Sequence, residues 1–183
     1  HLDGTINISG LAQYEQQSYI LKYDNNGNSL GYLSVPFRPN TEGYQPKMIN
    51  FTYDPLTQQY YFTSWRDSPY DDEYSTIINN QIYQTSILIC FNVTGQVLWT
   101  KTANNASSAI VEGVLVDEQS NVYVSGRGTS STVLPNGSNG PLNGNFGGYQ
   151  FTNTLSRQSF VIKFNAQGNL LWGSNADGTA GDG

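Results

Sequence analysis

Ser159-Phe160-Val161-Ile162-Lys163-Phe164-Asn165, running on through Gly168 to Leu171-Trp172, decides the fold, because the chain repeats it. Ser86-Ile87-Leu88-Ile89-Cys90-Phe91-Asn92 leads to Gly95, Leu98 and Trp99, and Ser18-Tyr19-Ile20-Leu21-Lys22-Tyr23-Asp24 leads to Gly27 and Leu30. The three glycines stand 68 and 73 residues apart, so the chain is a tandem array of one supersecondary unit. Each motif reads as a β-hairpin: a short apolar strand, a D/N-x-x-G turn and a second strand. Gly supplies the positive φ that closes a short loop, and the leading Asp or Asn caps the turn. Trp99 and Trp172 fall in one column, where the first unit has Gly31.

Working outward, a second hairpin precedes the first in two units. One is Met48 to Asp54 with Tyr60 to Ser64. The other is Val111 to Asp117 with Val122 to Gly126. One unit is therefore four antiparallel strands in a meander. Ile6 to Gly10 matches the second strand of this unit, with no first strand before it. Tandem four-stranded meanders are the pattern of a β-propeller. The period is too long for a WD40 blade, and neither the Gly-His nor the Trp-Asp signature occurs.

Composition agrees with β structure. Tyr (13), Phe (8) and Trp (3) suit half-buried strands, while 19 Gly and 20 Asn suit turns. A net charge of −6, with eight scattered basic residues, argues against a nucleic-acid partner, which needs clustered Lys and Arg. No apolar run approaches the roughly 20 residues of a membrane span.

Asn121-Val122-Tyr123-Val124-Ser125-Gly126, then Ser159 to Asn165, then Gly168-Asn169-Leu170-Leu171-Trp172, resembles the SBBP-type β-propeller repeat. That consensus runs roughly G-N-V-Y-V-T-G, a D/S-F-V-x-K-hydrophobic-N segment and G-x-L-x-W. The second unit departs from it at Cys90 and at Tyr60-Tyr61-Phe62, and the first matches in part. The resemblance implies a propeller fold and an extracytoplasmic or surface setting. It implies no catalytic residue, because the repeat positions of that family are structural.

The expected architecture is all-β and β-propeller-like, with about three tandem four-stranded antiparallel blades, the first incomplete. Residues 1–35 form a partial blade of strands two to four. Residues 36–103 form a blade with an acidic insertion at 66–85. Residues 104–174 form a blade with a Gly/Ser/Asn-rich insertion at 127–158. Residues 175–183 form a link to a further blade or a neighbouring subunit. Both insertions lie between the second and third strands, and alternate loops of a meander emerge on opposite faces. They should therefore share one face with the connections Pro36–Gln45 and Ala103–Ser108. Loops on a rigid scaffold often carry function, so this face is the candidate for binding a glycan or a protein.

Catalytic chemistry finds little material. The one histidine is His1, which removes His-based triads and His metal sites, and no carboxylate pair is placed by the repeat at a common strand end. No catalytic or cofactor-binding residue is assigned. Asp71, Asp72 and Glu73, with Asp67, are the weak candidates for Ca²⁺, a cation that takes several oxygen ligands. Their spacing fits no defined loop, and a solvated acidic insertion is the simpler reading. Asp24-Asn25-Asn26-Gly27-Asn28 resembles part of a calcium loop, but its counterparts at Asn92 and Asn165 lack the acid, so it reads as a turn. Asp177 and Asp182 in the tail fit the glycine-rich link better than an ion site. The single cysteine, Cys90, aligns with Lys22 and Lys163 and reads as a small strand side chain.

Asn-x-Ser/Thr sequons occur at Asn7, Asn50, Asn92, Asn105 and Asn136. Asn105 and Asn136, in loops, are the best-placed acceptors on a secretory route. Asn92 already has a turn role, and Asn7 and Asn50 lie in strands. Tyr and Trp on the strands could stack sugars or pack between blades; packing is the simpler role.

The resulting expectation is a non-enzymatic, extracellular or cell-surface structural protein, glycosylated and part of a larger assembly or filament. Its partner is a further copy of itself or the rest of a longer chain, because the repeat begins after one first strand and stops before the next. A glycan- or protein-binding module using the insertion face is the alternative.

Overall fold

The computed structural model describes residues 6–11, 18–35, 37–39, 47–65, 76–83, 86–103, 107–130, 142–153 and 157–176. These residues form strands and turns, with no helix among them. Three antiparallel meanders follow one another along the chain. The first sheet holds β1 (Ile6–Leu11), β2 (Ser18–Tyr23) and β3 (Ser29–Ser34), in that order.

The middle sheet holds β5 (Lys47–Asp54), β6 (Gln59–Trp65), β9 (Ile87–Asn92) and β10 (Val97–Thr102), each paired with the next. The last sheet holds β11 (Ser107–Val116), β12 (Val122–Ser130), β15 (Arg157–Phe164) and β16 (Leu170–Ala176). The strands fall where the repeat predicts them, and both four-stranded sheets have the expected order.

The segments between second and third strands are more structured than the composition suggests. In the middle sheet that segment carries the hairpin β7 (Thr76–Ile78) and β8 (Gln81–Tyr83). Its Asn79-Asn80 turn has φ of 48° and 64°, the two-residue loop in which Asn is favoured. β4 (Phe37–Pro39), from the connection leaving the first sheet, pairs with β7. In the last sheet the segment carries β13 (Leu142–Phe146) and β14 (Tyr149–Asn153). Phe146 bridges to Ala103, at the start of the next inter-sheet connection. Each connection thus meets the insertion beside it. β12 continues to Ser130 and β15 begins at Arg157, so both ends of 127–158 belong to the four-stranded sheet.

The three repeated turns are built alike. The N–H groups of Asp24, Asn92 and Asn165 donate to the carbonyls of Asn28, Gln96 and Asn169, closing three-residue loops. Gly27, Gly95 and Gly168 follow at φ of 84°, 84° and 79°, where a β-carbon is disfavoured. The leading side-chain oxygen accepts from backbone N–H groups two and four residues on, at 2.8–3.1 Å in all three turns.

Packing explains the apolar runs. In β9, Ile87 to Phe91 are all buried, although strand side chains alternate between faces. Ile87, Ile89 and Phe91 join Tyr60 and Phe62 against Ile20 and Val35 of the first sheet. Leu88, Cys90 and Tyr61 pack the opposite way, against Val111, Val122, Val124, Phe160, Ile162 and Phe164 of the last sheet. The middle sheet is covered on both faces, so its strand has no polar side to show.

Each sheet also bends at the same places. The extra residue of a β-bulge is Leu30 in β3, Leu98 in β10 and Leu171 in β16. It is Ile49 in β5 and Glu112 in β11. The bulge column explains why Leu98 and Trp99, adjacent and apolar, do not both face the core: Leu98 is thrown outward and is 42% exposed.

Candidate functional site

The contact between the middle and last sheets shows how one sheet receives the next. Trp99 lies in a row across the middle sheet, Thr52–Tyr61–Cys90–Trp99. Its indole Nε1–H donates to the carbonyl of Ala166 in the next sheet's hairpin turn, at 2.9 Å. Its ring lies 6.5 Å from that of Phe164. It also covers Gly168 so closely that a β-carbon there would stand 2.8 Å from Trp99 Cδ2. Gly168 is therefore needed twice, for its φ and for the ring above it. Lys101 Nζ lies 5.7 Å from the Trp99 ring centre and 5.9 Å from that of Phe164.

Between the first and middle sheets the same geometry is made without tryptophan. Gly31 occupies the column, and the turn glycine Gly95 lies under Ser34 and Leu33 instead, 3.1 Å from the Ser34 carbonyl at its β-carbon position. Lys22 Nζ stands 6.0 Å from the Tyr60 ring centre.

The last sheet repeats the outgoing row, and no other sheet among the described residues packs over it. Leu115, Tyr123, Lys163 and Trp172 are partners across its four strands. Trp172 is 45% exposed, Leu115 56% and Val161 39%. The Trp172 ring meets Tyr123 edge-on at 6.1 Å. Lys163 Nζ sits 4.7 Å from the Tyr123 ring centre and 3.5 Å from an Asp117 carboxylate oxygen. A side-chain hydrogen bond with Tyr123, with the Asp117 charge beside it, raises the Lys163 pKa, so the ammonium stays charged. Partial burial works against ionisation of Asp117. Hydrogen bonds from Asn121, Gln119 and Tyr123 outweigh it and hold the carboxyl at about 2.

Among the described residues no sheet covers the opposite face of the first sheet. Tyr19, Leu21 and Tyr23 occupy the columns of the buried Ile87, Ile89 and Phe91 but are only half-buried, and Tyr32, opposite Leu21, is 73% exposed. At its hairpin turn the β-carbon position of Gly27 has no atom within 4 Å. Among the described residues, two faces of the kinds buried in the interior are thus partly exposed, one on each flanking sheet.

The other predicted sites are placed as follows. Cys90 is fully buried, and its thiol donates to Gln59 Oε1 at 3.4 Å, beside Tyr61, whose hydroxyl donates to the same oxygen at 2.7 Å. Burial pushes the Cys90 pKa up to about 12, which removes the thiolate that reactivity requires. Asp67, Asp71, Asp72, Glu73, Asp177 and Asp182 lie outside the described residues, as do Asn105 and Asn136. Among the described residues no group of three His, Cys, Asp or Glu could hold a metal ion. Asp24 spends its oxygens on Asn26 and Asn28, as a turn cap does. No helix among the described residues is long and apolar enough to cross a membrane. Asn7 lies on β1, and Asn50 is exposed on β5. The Asn92 side chain accepts from Thr94 and Gln96 in its turn.

The insertion of the last sheet is built into the core. Phe146 and Phe151 are fully buried; Phe146 stacks on Phe160 at a ring distance of 6.3 Å, and Phe151 meets it at a tilt, 5.0 Å away. The Gly147 N–H donates to the Thr102 carbonyl at 3.1 Å, and the Tyr149 hydroxyl donates to Asn175 Oδ1 at 2.6 Å. The hairpin packs on the last sheet and meets the end of the middle one, a role invisible in the repeat because its sequence does not match that of the β7–β8 hairpin in the middle sheet's insertion. The uncovered faces were half visible: the Trp column marked Trp172, while only the packing distinguishes its exposure from the burial of Trp99. No family model matches this chain, and no curated protein does.

Proposed function

We propose that this chain is a non-enzymatic structural protein of the cell surface or extracellular space. It is a β-propeller-like repeat unit of SBBP type that works by stacking sheets into a larger assembly. One contrast carries this reading. The middle sheet buries both faces against its neighbours, while the matching faces of the flanking sheets hold Trp172, Leu115, Tyr32 and their neighbours in water. Full burial of one large apolar side chain is worth about 1.5–3 kcal/mol, so such faces favour association. The titratable groups in view support a structural role: Cys90 is an interior thiol, and Asp24 and Asp117 cap turns. Among the described sequon asparagines Asn50 is exposed, and carbohydrate there fits a surface setting.

The test is native mass by light scattering over a concentration series. Species heavier than the 20.2 kDa chain are expected to grow with concentration. A single 20.2 kDa species throughout would refute the assembly reading.

A further inference from the structure

The two open faces fit one another residue by residue. The contact that joins the middle sheet to the last has an outgoing part, Trp99, and a receiving part, the turn Asn165–Gly168 with Phe164 at its foot. Trp172 is the outgoing part again, in the same register column, 45% exposed. The receiving part also occurs again. The turn Asp24–Gly27 follows Tyr23 and has the same pair of closing backbone hydrogen bonds, the same side-chain cap and a glycine at φ 84°. Asn25 stands where Ala166 stands, and Gly27 where Gly168 stands. Above Gly27 there is room: a β-carbon would meet nothing within 4 Å, where Gly168 would meet Trp99 at 2.8 Å. The glycine is kept bare by φ alone, and the space that Trp99 fills in one turn is empty in the other.

We infer that Trp172 of one copy of this chain seats on the Asp24–Gly27 turn of a second copy, its indole N–H donating to the Asn25 carbonyl and its ring lying over Gly27 and against Tyr23. The inference rests on the assembly reading above and names the contact that makes it. The occupant is a second copy because both halves of the contact belong to one chain, and the internal joint between Trp99 and Gly168 is its template. The joint is head-to-tail, with different surfaces on the two partners, so it continues from copy to copy as a ring or an open chain. Covering the face also takes Lys163 and Asp117 out of water as an already formed ion pair, 3.5 Å apart, with Tyr123 against both.

Two substitutions and their mixture test it. Trp172→Ala removes the outgoing part. Gly27→Asn puts a side chain over the receiving part in a conformation Asn tolerates. Sedimentation velocity should show the unaltered chain growing past dimer with concentration. Each variant alone should associate at least about 30-fold more weakly, the loss expected for an interfacial tryptophan. An equimolar mixture holds one intact Trp172 and one intact turn. It should give a one-to-one dimer that grows no further, and this outcome also requires both variants to be folded.

If the unaltered chain assembles and either variant assembles equally well, the Trp172 contact falls while the assembly reading stands. If the mixture stays monomeric although both variants melt as the unaltered chain does, the contact likewise falls. An unaltered chain that stays monomeric refutes both.

Discussion

Ser120 ends the turn between β11 and β12 in the place where the repeated hairpin turns put glycine. Its N–H donates to the Asp117 carbonyl at 3.0 Å, and its φ is 61°. It is 4% exposed, and its hydroxyl has no hydrogen-bond partner among the described residues. Replacing it with glycine acts through several terms. Releasing an L-residue from the left-handed region is worth about 1–2 kcal/mol. Removing a buried, unpaired hydroxyl is worth about 1–3 kcal/mol. Against these stand about 0.5–1 kcal/mol for the freedom glycine gains when unfolded and about 0.8 kcal/mol for a lost buried carbon. The balance is a stabilisation of about 2 kcal/mol, or a rise in Tm of about 4–8 °C for a chain of this size.

Ser120→Ala separates the terms, since it removes the hydroxyl and keeps the strained backbone. Its gain should be that of the hydroxyl alone, about 1–3 kcal/mol and close to that of Ser120→Gly, because the backbone release in the glycine protein is offset by its two costs. Urea denaturation of the three proteins, with unchanged m-values, gives the numbers directly. A Ser120→Gly protein no more stable than the parent would refute the account. A Ser120→Ala protein no more stable than the parent would refute its hydroxyl half.

Phe151→Ala tests whether the hairpin of the last insertion is core. With the ring fully buried and 5.0 Å from Phe160, the loss should be about 3–5 kcal/mol in urea denaturation, where a surface appendage would lose less than about 0.5 kcal/mol. Asp117 sets an acid limit. Its folded pKa of about 2 lies below the ordinary carboxylate value, so its contribution is complete above about pH 4 and is lost as pH falls through 2. Thermal melts of Asp117→Asn should therefore lose less stability between pH 4 and pH 2 than the parent; an equal loss would remove Asp117 from the account.

The repeat made the strands legible because one residue type recurs in each column for one physical reason. The turn glycines need positive φ, the leading Asp or Asn accepts the loop's N–H groups, and the alternating apolar positions of β9 and β15 face neighbouring sheets. Features that occur once were not legible. The β13–β14 hairpin shares no sequence pattern with the β7–β8 hairpin of the middle sheet, and its Asn- and Gly-rich flanks read as loop. The pairing of β4 with β7 joins segments far apart in the sequence. Ser120 breaks the glycine column without a compensating signal, so its strain appears only in φ. The site was legible by half. Trp99 and Trp172 are equivalent in sequence and differ only in what lies over them, which is a property of the stack and not of the column.

The bulges bear on the direction in which such molecules can grow. β10 and β16 are outer edges of their sheets, β5 and β11 the opposite edges, and all four are bulged. A bulged edge twists away from a straight hydrogen-bonding register, so another chain cannot easily add a strand there. Lateral β-pairing, the route to disordered aggregates, is obstructed along every edge of the two complete sheets. What stays available is the broad surface of the sheet, where side chains rather than backbone choose the neighbour. In the proposed assembly, the same single-residue irregularity, repeated in each unit, would make the molecule selective: it would lengthen by specific stacking while resisting indiscriminate widening.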